Sequence, residues 1–318
     1  MKKWIAMLLT GTMVFSLAAC SSAADSSSEE AQTTEETTEE TAETAEEETA
    51  EEAVEEEASE EEAAEEETSG VDLSASKYLA DGELTVALNS TFPPFEYVGD
   101  GTDEFEAITS NENDVTGFDV AMMNEIGKRL GVNVVIEDMD FDGIVPAIGV
   151  KVDCAATGMT ITEERLESVN FSDSYYNATQ AVLLPVNSEI KTAEDLAAAG
   201  AIGVQAGTTG EIVAREINDS AVVSVKSFNQ AVLDLVNGKD DAVVIDQVPG
   251  EAFVAQYSDK LQLVDGSEFD FDEEQYGIAM PQDDEVMLEA INGALADMKA
   301  DGTYDTLVEQ YINSYEAE

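Results

Sequence analysis

From Leu84 onward the apolar positions alternate between two rhythms. "LTVAL" (84–88) is a continuous apolar run of strand length. "GFDVAMMNEIGKRLGV" instead repeats Phe118, Met122, Ile126 and Leu130 four apart, one face of a helix, with Gly131 as its C-cap. "VNVVIED" predicts the next strand, "FDGIVPAIGV" a short helical segment and "VDCAATGM" a further strand, while "NSTFPPFEY" reads as a proline-punctuated loop. After Pro185 the series restarts, with "AIGVQ", "AVVSV" and "DAVVID" as strands and "TGEIVAREI" and "FNQAVLDLVNG" as helices. "VMLEAINGALADMKADG" and "YDTLVEQYINSY" predict closing helices. Strands separated by helices of this length predict an α/β protein with parallel sheets, and two such series predict two lobes. Open sheets of this kind hold ligands beyond the carboxyl ends of their strands.

No such rhythm precedes Val71. "MKKWIAMLLTGTMVFSLAAC" has the grammar of an export signal, two lysines followed by an apolar run to Ala19. That run is short for a spanning helix, which needs ~20 apolar residues. It ends in "LAAC", which resembles the lipobox of bacterial lipoproteins, so residues 1–20 are expected to be a lipoprotein signal peptide with Cys20 as the lipidated residue. Stable anchoring takes about two acyl chains, which a diacylated cysteine supplies. Between Ser21 and Gly70 the composition collapses to Ser, Thr, Ala and Glu, too little apolar surface to offset the entropy of ordering. Residues 21–70 are therefore expected to be a disordered acidic tether, kept extended by self-repulsion and reaching roughly 150 Å at most.

Charge and composition narrow the function. The formal net charge is −58, and 22 of the 71 acids precede Val71, so the later part is still strongly acidic. Such a surface repels phosphate backbones and anionic headgroups, which excludes nucleic-acid binding. With no histidine in the chain, His-ligated metals and Ser-His or Cys-His catalytic pairs are excluded, and no metal or cofactor is expected. Cys20 and Cys154 do not form a disulfide framework; Cys154 sits in an apolar strand and reads as core. The long stretch between Tyr97 and Gly117 is acidic but lacks the EF-hand pattern, so it reads as a solvated loop.

One of only three arginines, Arg165, sits in "GMTITEERLESVNFSDSYY". Thr162 reads as an N-cap, which places Arg165 at the third position of a helix; Thr208 and Glu211 have the spacing of a capping box. Either helix start is suited to an anion. Phe92 and Phe141 fall at the ligand edge, and Asp246 ends its strand there. Two phenyl faces, an arginine and an aspartate suit a small zwitterion, the guanidinium gripping a carboxylate and the carboxylate an ammonium.

"FPPFEY", "GFDVAM", "DFDGIVPAI", "GMTITEER", "VNFSDSYY", "GVQAGTTGE", "DAVVID" and "MKADGTYDTL" occur in the order seen in extracellular solute-binding proteins of family 3, the amino-acid receptors of bacterial ABC importers. From about Leu84 to Tyr311 the chain resembles that family, glutamine- and histidine-binding proteins included. The resemblance implies the two-lobed periplasmic-binding-protein fold (type II), each lobe a parallel-rich sheet flanked by helices, with two crossover hinge strands. It places lobe 1 at 78–177 plus 273–318 and lobe 2 at 178–272. It makes Arg165 the carboxylate partner, helped by main-chain groups near Thr160 and Thr209. Asp246 becomes the ammonium acceptor, helped by the Gly158 carbonyl and the Thr160 hydroxyl. Phe92 and Phe141 become aromatic walls, and Thr157 and Thr208 lining hydroxyls.

Asn89 departs from the commoner acid at its position, and Gln205 faces the ligand tail. That end has no fixed counter-charge, so an uncharged polar side chain is favoured over a cationic one. The expectation is a monomeric, lipid-anchored receptor on the outer face of the membrane in a Gram-positive envelope, handing an amino acid to an ABC permease. The alternative is an enzyme like cyclohexadienyl or arogenate dehydratase on the same fold. It needs a spare acid or base in the cleft, and the resemblance supplies only Asp246, already paired.

Overall fold

The run at 84–88 becomes the strand Glu83–Leu88, with parallel neighbours Asn133–Asp138 and Cys154–Ala155. The computed structural model describes residues 71–316 apart from Thr102, Glu104, Phe105, Ser110, Asn111 and Glu112. The expected signal peptide, Cys20 and the 21–70 tether lie outside the described residues. From edge to edge the first large sheet runs Asn133–Asp138, Glu83–Leu88, Cys154–Ala155, Ala279–Met280, Asn170–Phe171. The second follows the same plan: Ile202–Gln205 lies between parallel Val222–Val225 and Ala242–Asp246, and antiparallel Tyr176–Pro185 and Leu261–Asp265 complete it. These sheets are the spines of two α/β lobes.

Tyr176–Pro185 joins them. Its first four residues pair with Glu273–Tyr276, from Tyr176 opposite Tyr276 to Thr179 opposite Glu273. Beyond that it lies between Ala242–Asp246 and Leu261–Asp265. Ten residues of extended chain span about 33 Å, so one strand passes from the first lobe into the middle of the second sheet. The chain returns along Glu273–Tyr276 into Ala279–Met280. Two crossings therefore run side by side.

The helix Phe118–Leu130 buries Phe118, Met122 and Ile126 completely, and Gly131 closes it in the left-handed region at φ 68°. Its start is capped by backbone. The Phe118 and Asp119 amides donate to the Pro94 and Phe95 carbonyls at 3.0 and 2.9 Å, satisfying two of the donors a helix start leaves open. Gly117 reaches that position at φ 125°, and a Cβ there would lie 2.3 Å from the Phe95 oxygen. The consequence is that Asp119 is carried to within hydrogen-bond reach of the Gly158 amide.

Several expectations are corrected. "NSTFPPFEY" is a hairpin rather than a loop, Thr91–Phe92 pairing with Glu96–Val98, because the two prolines reverse the chain between residues that can pair. The stretch expected as a solvated loop supplies Ala107–Ile108 and Asp114–Thr116, which extend the hairpin into a four-stranded antiparallel sheet. "VDCAATGM" is extended only at Cys154–Ala155, since Gly158, at φ 53°, turns the chain. Cys154 is buried and free, in the core. The closing helix is α over Thr303–Leu307 and continues as a π turn over Val308–Asn313.

Replacing Gly117 with alanine should cost about 2–4 kcal/mol in urea denaturation, because the strained φ and the backbone clash act together. Gly131→Ala meets no atom within 4 Å and should cost only about 1 kcal/mol, the left-handed penalty alone. Equal losses would show that the contact with Phe95 is not what selects glycine at 117.

Candidate functional site

The carboxyl ends of the parallel strands of both sheets face one another. Asn89 follows Glu83–Leu88, Phe141 follows Asn133–Asp138, and Thr157 and Gly158 follow Cys154–Ala155. From the other sheet, Gln205 ends its strand just before Thr208 and Thr209, and Asp246 ends Ala242–Asp246. These residues, with Phe92, Thr160 and Arg165, line a single cavity. All eleven expected ligand-binding residues are thus brought together. Glu96 and Phe228 complete the lining, and sequence reasoning missed both.

Arg165 is not at the head of a true helix. Glu163–Leu166 is a single turn capped by the Thr162 hydroxyl, too short for a macrodipole, so the guanidinium itself is the cationic feature. It lies against the Phe141 ring, 5.4 Å from the centroid, and is half-buried. Nη1 donates to the Thr160 carbonyl at 2.6 Å and Nη2 to the Gly207 carbonyl at 3.0 Å, one on each side of the cleft. A guanidinium has five N–H donors, so it retains donors for a carboxylate. The second helix start is genuine: Thr208 caps Thr209–Asn218 by accepting from the Glu211 amide. Its capping box is shifted by one residue, since the Glu211 carboxylate takes the Gly207 amide at 2.8 Å.

At the other end Gln205 Nε2 donates to Asn89 Oδ1 at 2.8 Å and to the Lys226 carbonyl at 3.0 Å. Asn89 Oδ1 also accepts from Thr91, and Asn89 Nδ2 donates to the Met139 carbonyl. Phe92 stacks on Phe228 across the cleft, 5.5 Å between centroids. A Cβ at Gly158 would come within 2.5 Å of the Phe92 ring, so only glycine lets the ring lie there. The hydroxyls of Thr157 and Thr208 line the cavity but are already engaged, Thr157 donating to Glu96 and Thr208 to the Gln205 carbonyl.

Residues 84–314 match the bacterial extracellular solute-binding proteins, family 3. The chain belongs to that family. A probable histidine-binding protein of Campylobacter jejuni is 37% identical over 208 residues, 63% of this chain and 78% of that one. Among solved structures, a mutant of ArgBP from T. maritima is 40% identical with a TM-score of 0.65, covering 74% of this chain and 97% of its own. An ancestral amino acid-binding protein, a precursor of cyclohexadienyl dehydratase, is 33% identical with a TM-score of 0.63, covering 73% and 96%. The family 3 protein described here is a solute-binding protein, not an enzyme.

Two acid pairs flank the family 3 cleft. Asp246 accepts from the Tyr276 hydroxyl at 2.6 Å, and burial together with the charge of Glu274 raises its carboxyl to about 7. Glu96 is fully buried, and burial and then the charge of Asp119 push it well above the usual carboxylate range. Asp119 is raised by its own burial, although the Gly158 amide (2.7 Å) and the Tyr175 hydroxyl (2.9 Å) favour its charge. Glu96 Oε2 and Asp119 Oδ1 have no other partner. One proton held between the two carboxyls would satisfy both oxygens.

The cavity therefore holds a second acid beside Asp246, which corrects the expectation that Asp246 is the only acid in the cleft. The missed signal was the hairpin. Once "FPPFEY" folds back on itself, Phe92 and Glu96 are directly paired and share a face. Phe228 gave no such signal, being an apolar residue opening a helix, as core residues do.

Because the folded state raises Glu96 above its unfolded value, it binds more protons than the unfolded chain from about pH 4.5 upward. Stability from this group is full below that range and declines as pH rises, by up to ~1.4 kcal/mol per unit. Glu96→Gln keeps a neutral group at every pH and should lose less stability than wild type between pH 5 and 7. Parallel urea-denaturation curves for the two proteins would show that no proton is held there.

Proposed function

We propose that this protein is a lipid-anchored receptor that binds one amino acid between its lobes and presents it to an ABC permease. The observation that carries this is a cavity lined by one guanidinium, Arg165, and one strand-end carboxylate, Asp246, between aromatic faces. Arg165 takes the ligand carboxylate, with main-chain support near Thr160 and Thr209, and Asp246 takes the ammonium together with Gly158 and Thr160. The names of the relatives agree in chemistry, histidine-binding and lysine/arginine/ornithine-binding among them. We take 78–177 with 273–318 as lobe 1 and 178–272 as lobe 2, hinged where Tyr176–Pro185 and Glu273–Tyr276 cross together. The protein acts as a monomer on the outer face of a Gram-positive cell membrane, tethered through Cys20.

For the side chain we propose an uncharged polar group. Gln205 has spent its amide hydrogens, leaving its carbonyl to accept, and Asn89 retains one N–H to donate. A carboxamide or hydroxyl matches that pair, and a protonated Glu96 adds no charge. A cationic side chain is the second reading, favoured by Glu96 itself, whose carboxyl meets a cation once its proton leaves.

A thermal-shift screen of the twenty amino acids at pH 8, followed by titration calorimetry, tests both readings, since a tight ligand raises the melting temperature. Arg165→Ala and Asp246→Ala should each cost about 3–5 kcal/mol of binding by stranding a desolvated charge. An ammonium needs Asp246 ionised, so affinity should fall as pH drops below about 7. A cationic ligand should also release the Glu96–Asp119 proton, seen as a buffer-dependent heat that a neutral ligand lacks. Near-wild-type affinity in both alanine variants would sink the receptor assignment.

The anchor has its own test. Cys20→Ala should leave the fold intact and move the protein from the membrane fraction to the soluble one. Retention of the variant on membranes after a salt wash would refute lipidation at Cys20.

A further inference from the structure

Glu274 lies on the returning crossover strand and was not among the expected site residues. One of its oxygens, Oε2, accepts from Thr160 Oγ1 at 2.6 Å and from Thr209 Oγ1 at 2.8 Å. The Gln180 amide approaches the same oxygen at 3.4 Å and Thr209 Oγ1 at 3.3 Å. Thr160 belongs to the segment after Cys154–Ala155 in the first sheet, and Thr209 opens a helix of the second lobe. Backbone bonds fix the Thr160 side of this arrangement. The Ile161 amide donates to the Gln275 carbonyl at 2.8 Å, and the Gly277 amide to the Met159 carbonyl at 3.1 Å. Thr160 and Thr209 both line the cavity, whereas Glu274 stands just behind them.

A hydroxyl has one proton and two lone pairs. Thr160 has placed its proton on Glu274, so toward the cavity it can only accept. Asp246, Gly158 and Thr160 all line the cavity, and on the proposed reading the Asp246 carboxylate, the Gly158 carbonyl and the Thr160 oxygen are the three acceptors at that end. An ammonium offers three donors. A carboxylate in the same place would meet lone pairs and two acids.

We propose that Glu274 is the positioning residue that makes the Thr160 end of the cavity specific for an ammonium, by holding the hydroxyl proton of Thr160 away from the ligand while Thr209 ties the same oxygen to the second lobe. The assignment rests on the amino-acid reading of the cavity. It goes further in naming the residue that tells the two ends of a zwitterion apart. Glu274 touches no ligand; it acts through Thr160. The other charged groups that face this cluster are Arg165 and Asp246, both within electrostatic reach of Glu274.

The test compares ligands that differ only in the ammonium. L-glutamine and L-arginine are titrated calorimetrically against 4-carbamoylbutanoate and 5-guanidinopentanoate, their des-amino analogues, in wild type, Glu274→Ala and Glu274→Gln. Glu274→Ala frees the hydroxyl proton and should weaken the amino acid that binds by about tenfold while moving its analogue by less than about threefold. Glu274→Gln keeps an acceptor for both threonines and should stay within about threefold of wild type. Thr160→Val, which removes the hydroxyl and preserves shape, should reproduce the loss of discrimination even where Glu274→Ala fails to fold. An equal loss for amino acid and analogue, unchanged discrimination in Thr160→Val, or a Gln variant as weak as the Ala variant overturns the assignment. Wild-type protein that binds none of the twenty amino acids overturns the amino-acid reading itself, a result distinct from any of these.

Discussion

The pairing of Tyr176–Pro185 with Glu273–Tyr276 is the constraint on which the rest depends. Two extended segments held side by side form the connection between the two sheets. Because the first strand continues into the centre of the second sheet, the carboxyl ends of both parallel sets are turned toward a common gap. The returning strand brings Tyr276 beneath Asp246 and Glu274 beside the threonines. The hinge and the inner layer of the site are thus one piece of backbone.

Charge is placed in the cleft against the general trend of the molecule. A chain of net charge −58 has three arginines, and one of them lines the cavity. The acids around it come in pairs, Glu96 with Asp119 and Asp246 with Glu274. Burying like charges together is unfavourable unless a proton or a cation joins them. In the first pair a shared proton would do this. In the second the Tyr276 hydroxyl, two threonine hydroxyls and the nearby guanidinium spread the charge over donors.

Much of this was legible in the chain. The four-residue repeat through Phe118, Met122, Ile126 and Leu130 marked a buried face because burial and helix period coincide there. The short apolar runs at 84–88, 202–205 and 242–246 marked strands covered on both sides. Tyr176–Pro185 was harder to read: it changes environment halfway, from crossing to sheet interior, so no single period describes it. Glu96 and Glu274 were hidden for a related reason. Each owes its place to a strand pairing, Glu96 opposite Phe92 and Glu274 opposite Ala178, while in the sequence each looks like an ordinary surface acid. Arg165 was found from its neighbours, yet its setting proved to be one turn between two carbonyls and not the mouth of a long helix.

The hydrogen bond between Gln205 and Asn89 changes how the tail end of the cavity discriminates. It already ties Asn89 to the end of Ile202–Gln205, so a ligand that displaced it would exchange one bond for another and gain little. An apolar side chain that parts these amides leaves both stranded and is rejected at the full cost of their desolvation. A polar one that inserts between them breaks even. On the proposed reading, selectivity at that end is a toll on the wrong solutes more than a reward for the right one, and the affinity comes from the two charged ends of the zwitterion.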